Sequence, residues 1–493
     1  HKEETWTGIS KLSDINREGN YYLTQDVTLT SAWTCQRNVN LCLNGHSITR
    51  TAKEYYDQNG NNAVIIIKNN VDFTLTDCKG TGTITHKQGV SGEGVYNDGR
   101  FFMYNGIIFG NNGGVKNPGM FFMYGGTITS NTANNGGGVD NAGTFTMDGG
   151  TITSNTANNG GGVYNDNAGR FIMYGGTITG NKAEQTYGTE YGGGVYNQGT
   201  FNMYGGEITN NTATVGGGGV FNKGTFTMSG GEITSNSSES YGGGVCYSSS
   251  QLFKMSGTVN ITENKVGTTP NNLYLWNGQQ VSASGLTSGA EIGVTTQIVP
   301  INDSSVPITS DSVSVNCFFS DNSDYETAID ENSKVVLKKK TAVEAPSITK
   351  QPQPVSVKVG ETATFTVEAA GEGLSYQWMV DKNDNRGFVD IAGATSESYT
   401  LNAISKEYNG YRYQCMVSIP SGHTGHTISD CVTLTVTEDA APTPNPEPTP
   451  NPEPTPTPTP APNPTPEATT PTPDPAPATS TPAPGRKSTS AAW

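Results

Sequence analysis

One motif returns in block after block between residues 92 and 264, and a chain repeating at a period of roughly 20–30 residues builds stacked copies of a single unit. Val139–Ala157, VDNAGTFTMDGGTITSNTA, is one copy. Aligned on it, the methionines Met103, Met123, Met147, Met173, Met203, Met228 and Met255 form a column. Phe101, Phe121, Phe145, Phe171, Phe201, Phe226 and Phe253 stand two residues before them. Val95, Val115, Val139, Val163, Val195, Val220 and Val245 make a third column. Asn111, Asn131, Asn155, Asn181, Asn211, Asn236 and Asn264 make a fourth.

Residues two apart on a strand point the same way, so each Phe and its Met share one face. Val and Ile mark further strands, and Gly and Asn sit where corners need positive φ. Three short strands and three corners per unit describe a coil of a parallel β-helix, with coils about 4.8 Å apart. The Asn column is expected to turn inward, each amide bonding the next coil, because buried polar groups need partners. Residues 1–91 are read as an N-terminal cap with degenerate coils: LCLNGHSIT and FTLTDCKGTGTIT echo FTMYGGTIT, with Leu43 and Leu75 in the methionine column. Residues 92–270 are the regular coils, and 271–340 the C-terminal cap that shields the last unpaired edge.

A second module occupies 345–437. Trp378, and Tyr413 two residues before Cys415, give it an immunoglobulin-like outline, with Val367 near the place of the usual first cysteine. Cys431 falls on the next strand, so a Cys415–Cys431 disulfide is expected. Asp381–Gly387 faintly resembles a calcium loop but has no closing glutamate, and a hairpin is expected instead. Residues 438–493 are a Pro/Thr-rich linker, too rich in proline to pack a core and expected to be disordered. The fold class is thus all-β: a right-handed parallel β-helix with a C-terminal cap, an immunoglobulin-like β-sandwich and a disordered tail.

GGGVYNQGTFNMYGGEITNNTA (Gly192–Ala213) and GGGVDNAGTFTMDGGTITSNTA (Gly136–Ala157) resemble the right-handed parallel β-helix repeat proteins of Gram-positive, Firmicutes-type bacterial surfaces. More distantly, they are similar to the repeats of chlamydial polymorphic membrane adhesins. The resemblance covers most of residues 20–340. It implies a secreted or cell-surface protein whose helix is followed by immunoglobulin-like modules and a spacer. It also implies attachment to the bacterial cell wall through a region beyond the Pro-rich tail, and a host or environmental glycan or glycoprotein as partner.

The formal net charge is −16. Lys and Arg are sparse in the repeats, which argues against nucleic acid. No run is apolar for the ~20 residues a membrane span requires. The seven cysteines contain no CxxC pair, and neither metal nor cofactor is expected. The NTD, DD, GHG and RIK motifs of β-helix pectin hydrolases are missing as a set. Asp140 and Asp166, on neighbouring coils, are the only paired carboxylates offered for catalysis, and solvated acids on a rod are the blander reading. Outward tyrosines carry the binding expectation. Tyr104, Tyr124, Tyr174 and Tyr204 follow the methionines, and Tyr96, Tyr164 and Tyr196 follow the valines. Tyr187, Tyr191 and Tyr241 lie at or near an inserted loop, with Tyr55 and Tyr56 at what could be the same edge. In one coil both tyrosines are replaced by acids, Asp140 and Asp148. Stacked tyrosines could serve sugar rings, although aromatics also simply favour strands. A surface adhesin or glycan-binding protein is the leading reading, ahead of an inert stalk and of a glycan-active enzyme (lyase or hydrolase).

Overall fold

The computed structural model describes residues 5–52, 62–184, 191–313, 317–340, 345–371, 373–419 and 425–438. Two compact units divide the chain, His1–Ala342 and Val343–Trp493.

In the first unit every column found in the sequence is a column in space. Val95 pairs with Val115, which pairs with Val139, and the series runs to Val245. The Phe and Met columns pair in parallel from Phe101–Met103 to Phe253–Met255. A third wall stacks Ile108, Ile128, Ile152, Ile178, Ile208, Ile233 and Ile261. The three walls enclose one core, and the phenylalanines in it are fully buried. From Phe101 to Phe253 successive ring centroids lie 4.4–4.9 Å apart, with planes within 14° of parallel. Those centroid spacings match the rung spacing, so each ring lies on the one below. Every such ring contributes about 1.5–3 kcal/mol of burial. In five of the seven repeats two glycines follow the methionine, and the second leaves room for this packing. Gly150 has φ +82°, and a Cβ there would stand 2.6 Å from Met123 Cε.

The Asn column turns inward as expected. Asn155 is fully buried; its Nδ2 donates to Ile128 O and Asn181 Oδ1, both at 2.9 Å. Its Oδ1 accepts from the Asn131 backbone N–H and Nδ2, at 3.0 and 2.9 Å. The ladder begins at His86, which bonds Asn111 Oδ1 at 2.9 Å. It ends at Asp321, whose carboxylate accepts from the Asn272 backbone N–H and side-chain amide. A second amide ladder, not anticipated, runs through Asn97, Asn117, Asn141, Asn165, Asn197 and Asn222 with Nδ2···Oδ1 distances of 2.7 Å.

Two details depart from the sequence reading. Leu41, not Leu43, occupies the methionine column, pairing with Leu75. A slip of two residues keeps the same face, so side-chain parity could not distinguish them. Stacking also continues past residue 270: Leu273–Leu275 pairs with Val245–Tyr247, and Phe318–Ser320 with the strand Glu291–Thr296. A three-stranded antiparallel sheet of Ser305–Ser312, Lys334–Lys339 and Tyr325–Ile329 then follows.

Most regular coils also carry a fourth strand. Thr132–Asn135 and its equivalents form a separate seven-stranded sheet beside the first wall, with Thr132–Asn135 as a terminal strand. The preceding coil, Val95 to Val115, is four residues shorter than the next and has no such strand.

The second unit is the expected immunoglobulin-like sandwich. Ser375–Asp381, Arg412–Ser418 and Val432–Thr437 form the centre of one sheet, and Ala363–Thr366 pairs with Ser398–Leu401. Trp378 is fully buried with its indole N–H on Ser396 O at 2.9 Å, and Tyr413 stacks on Phe365 at 4.6 Å. The expected Cys415–Cys431 disulfide is absent: both thiols are free, Cys415 buried and Cys431 exposed. The pairing Tyr413↔Val432 places Cys415 and Cys431 on opposite faces of the sheet. Asp381 is held by the Asn383 N–H and by Arg412, which pull its carboxyl below the usual range at the end of its strand.

Candidate functional site

Outward positions of the coils fall into two rows with different surroundings. The row after the methionines stays open to solvent. Tyr104, Tyr124, Tyr174 and Tyr204 are 40–54% exposed. Tyr104 stacks on Tyr124 at 4.8 Å, and Tyr174 on Tyr204 at 5.0 Å. Phe102 and Phe122, two residues before the first pair and on the same face, stack at 5.1 Å. The rung between the two tyrosine pairs holds exposed Asp148, whose N–H bonds Met123 O while Tyr174 N–H bonds Met147 O. Tyr124 and Tyr174 are therefore two rungs apart, about 9.6 Å, with a carboxylate at the base of the gap. Burial, then the nearby Tyr104 and Asp148, push the Tyr124 hydroxyl above its ordinary pKa.

The row after the valines is buried over much of its length, where its aromatics pack on one another and on Tyr241 and Trp276. Tyr196 is 2% exposed and packs with Phe221, Cys246 and Tyr274, with Tyr164 and Tyr241 against them. Tyr191 is buried with Ala183 and Ala213. These two tyrosines, expected to face solvent, form satellite cores instead. Side-chain parity places Tyr196 outside the coil, but the outward residues of the neighbouring coils pack together there as a cluster of their own. Tyr164 donates to Gln198 Oε1 at 2.8 Å, and Tyr241 meets Trp276 edge-on at 4.8 Å. Tyr55, Tyr56 and Tyr187 lie outside the described residues.

Where this row passes the short coil, aromatics give way to charge. In register the order is Tyr96, Lys116, Asp140, Tyr164. Lys116 Nζ lies 3.6 Å from Asp140 Oδ2. Both line a cleft of about 500 Å³ with Glu93, Asn112, Thr132 and Asn135. Burial raises the Asp140 carboxyl; Lys116 opposes this, while Asp166 and Glu93 add to it. Asp166 does not line the cleft; it accepts the Asn167 N–H at 2.7 Å. The carboxylate that shares the cleft with Asp140 is Glu93, which occurs once and precedes the first regular valine. No group of three or more His, Cys, Asp or Glu suited to a metal ion occurs among the described residues.

No family model matches the chain. Among curated proteins, endoglucanase C of Cellulomonas fimi is 37% identical over 99 residues, 20% of this chain; the match spans 8% of that relative's length. Solved structures give only local likeness. A chimeric titin Z1Z2 carrying a decorin peptide aligns at 23% identity over 20% of this chain and all of its own, with TM-score 0.16. The Ig1–2 module of the Drosophila receptor protein tyrosine phosphatase DLAR aligns at 23% identity over 20% of this chain and 53% of its own, with TM-score 0.15. No helix among the described residues is long and apolar enough to cross a membrane.

Proposed function

We propose that this is an extracellular carbohydrate-binding protein, an adhesin, which grips a sugar ring in the gap between Tyr124 and Tyr174. One observation carries the reading: two exposed aromatic stacks end facing each other across an acidic rung. Within each stack the ring faces cover one another. The faces turned toward Asp148 have no ring opposite. A gap of about 9.6 Å accepts one puckered pyranose, with contacts of about 3.5–4.0 Å on both sides. Asp148 at the base accepts hydroxyl hydrogens. Apolar faces with a single polar anchor suit a ring that is itself apolar above and below and polar around its rim. The relative named an endoglucanase supports a glycan ligand and puts glucans first among the probes.

The test is a glycan array and plant polysaccharide panel probed with the full chain and with Asp148→Tyr. That variant completes the tyrosine column and fills the gap while leaving the core untouched. Binding by the wild type and its loss in Asp148→Tyr, with unchanged circular dichroism, is the expected result. Equal binding by Asp148→Tyr and Tyr124→Ala would remove the gap as the site. Silence of the wild type across the array would favour an inert stalk.

A further inference from the structure

The cleft beside the short coil holds a buried acid with one oxygen left unbonded. Glu93 is 8% exposed, and its Oε2 has no hydrogen-bond partner among the described residues. Leaving such an oxygen unsatisfied is costly, the more so when it is charged, so a donor supplied from outside would be bound with corresponding gain. The cleft follows from the repeat itself. The fourth sheet starts one coil late, so its terminal strand Thr132–Asn135 stands over the floor made by Glu93, Lys116 and Asp140.

We infer that this cleft is a second carbohydrate site, taking a neutral oligosaccharide that donates a hydroxyl to Glu93 Oε2. The inference goes beyond the tyrosine gap, because it lies on another wall and uses none of its residues. The walls fit this class of ligand. Asn112, Thr132 and Asn135 supply amide and hydroxyl groups. An apolar ligand would leave these groups unsatisfied. An anionic sugar would meet two carboxylates, with the Lys116 ammonium already engaged by Asp140. A free cation would meet Lys116. At about 500 Å³ the cleft lies within the usual range for small-molecule sites, roughly 300–1,000 Å³. Tyr96 and Tyr164 bracket the ion pair in the same row, three rungs or about 14 Å apart. They are half-buried, and their separation gives a ligand of several sugar units a ring to touch at each end.

The experiment is isothermal titration of the full chain with cellotetraose, xylotetraose and mannotetraose. The variants are Glu93→Gln, Asn134→Trp and Asp148→Tyr. Asn134 is an exposed residue of the terminal strand, so the indole blocks the cleft without entering the core and decides the question if Glu93→Gln folds poorly. The inference expects at least one tetrasaccharide to bind, with affinity falling ten-fold or more in Glu93→Gln and in Asn134→Trp. Binding that is equal in wild type and Asn134→Trp overturns it, as does the absence of heat with all three sugars. Loss in Asp148→Tyr alone would overturn it while supporting the tyrosine gap. Loss in Asn134→Trp alone would uphold the cleft and remove Glu93 as its acceptor.

Discussion

Replacing Asn155 with alanine should open the β-helix locally, and the cost can be worked from its bonds. Its amide makes four hydrogen bonds, all buried. Two of the partners keep other contacts when it is removed. Asn131 Nδ2 still reaches Ile108 O, and Asn181 Oδ1 still accepts the residue 155 backbone N–H. The remaining two, the Asn131 N–H and the Ile128 carbonyl, are backbone groups that lose the bonds made to this side chain. At about 1–3 kcal/mol for each buried group left unsatisfied, the loss is about 3 kcal/mol. One pKa unit's worth of free energy, ~1.4 kcal/mol, is a factor of ten, so amide exchange near 127–133 and 153–157 should accelerate by roughly a hundred-fold. Hydrogen–deuterium exchange on the full chain measures this. Asn159→Ala is the control, because that amide bonds Asn135 at 3.2 Å on the exposed side. It should change stability by less than about 0.5 kcal/mol. An acceleration below three-fold in Asn155→Ala would refute the claim that the ladder holds the coils in register.

Three further outcomes are expected. Burial raises the Glu93 carboxyl above the ordinary range of a glutamate, against Lys116 and Arg50. The folded state thus binds this proton more tightly than the unfolded state; the resulting stability is complete at low pH and lost as pH rises through the folded pKa. Glu93→Gln should therefore melt progressively higher than wild type as pH goes from 4 to 7, and a constant offset in scanning calorimetry would contradict this. Phe171→Ala removes a ring stacked at 4.8 Å below and 4.6 Å above, and should cost about 3–5 kcal/mol. Tyr174→Ala, on the exposed face, should cost far less when urea midpoints are compared. Native alkylation should label Cys431 and spare Cys415, whose thiol burial raises to about 11, until the sandwich is unfolded; peptide mass spectrometry would show it.

The inside of the coil was legible because parity and period act together. Phe and Met two apart, repeated at one spacing, can only share a buried face. The Asn131 column was legible for a related reason, since a polar residue at a fixed corner must find a partner. Asn117 and its column carry the same signal, each standing two residues after an inward valine and so on its face. What lies beyond the outward face was not legible. Nothing in the alternation around Tyr196 says that Phe221, Cys246 and Tyr274 pack with it away from water, whereas Tyr204 on the next wall stays in solvent. The short segment TANN carries no strand signal of its own, and only its stacking upon copies of itself makes it a strand. Glu93 escaped because it is unique: a column argument has no purchase on a residue that occurs once. The two cysteines were placed on neighbouring strands correctly, but a bridge needs a shared face, and one residue of register decides that.

The amide ladder has a direction. Each coil donates forward from N–H and Nδ2 and accepts from behind at Oδ1, with a histidine at the head and a carboxylate at the tail. Every interior coil thus presents the same socket and the same plug. An insertion or excision of one entire coil would leave both terminators matched to their neighbours. Length in this protein is consequently an adjustable quantity, separable from how its ends are sealed, and a chain lacking residues 139–162 should still close.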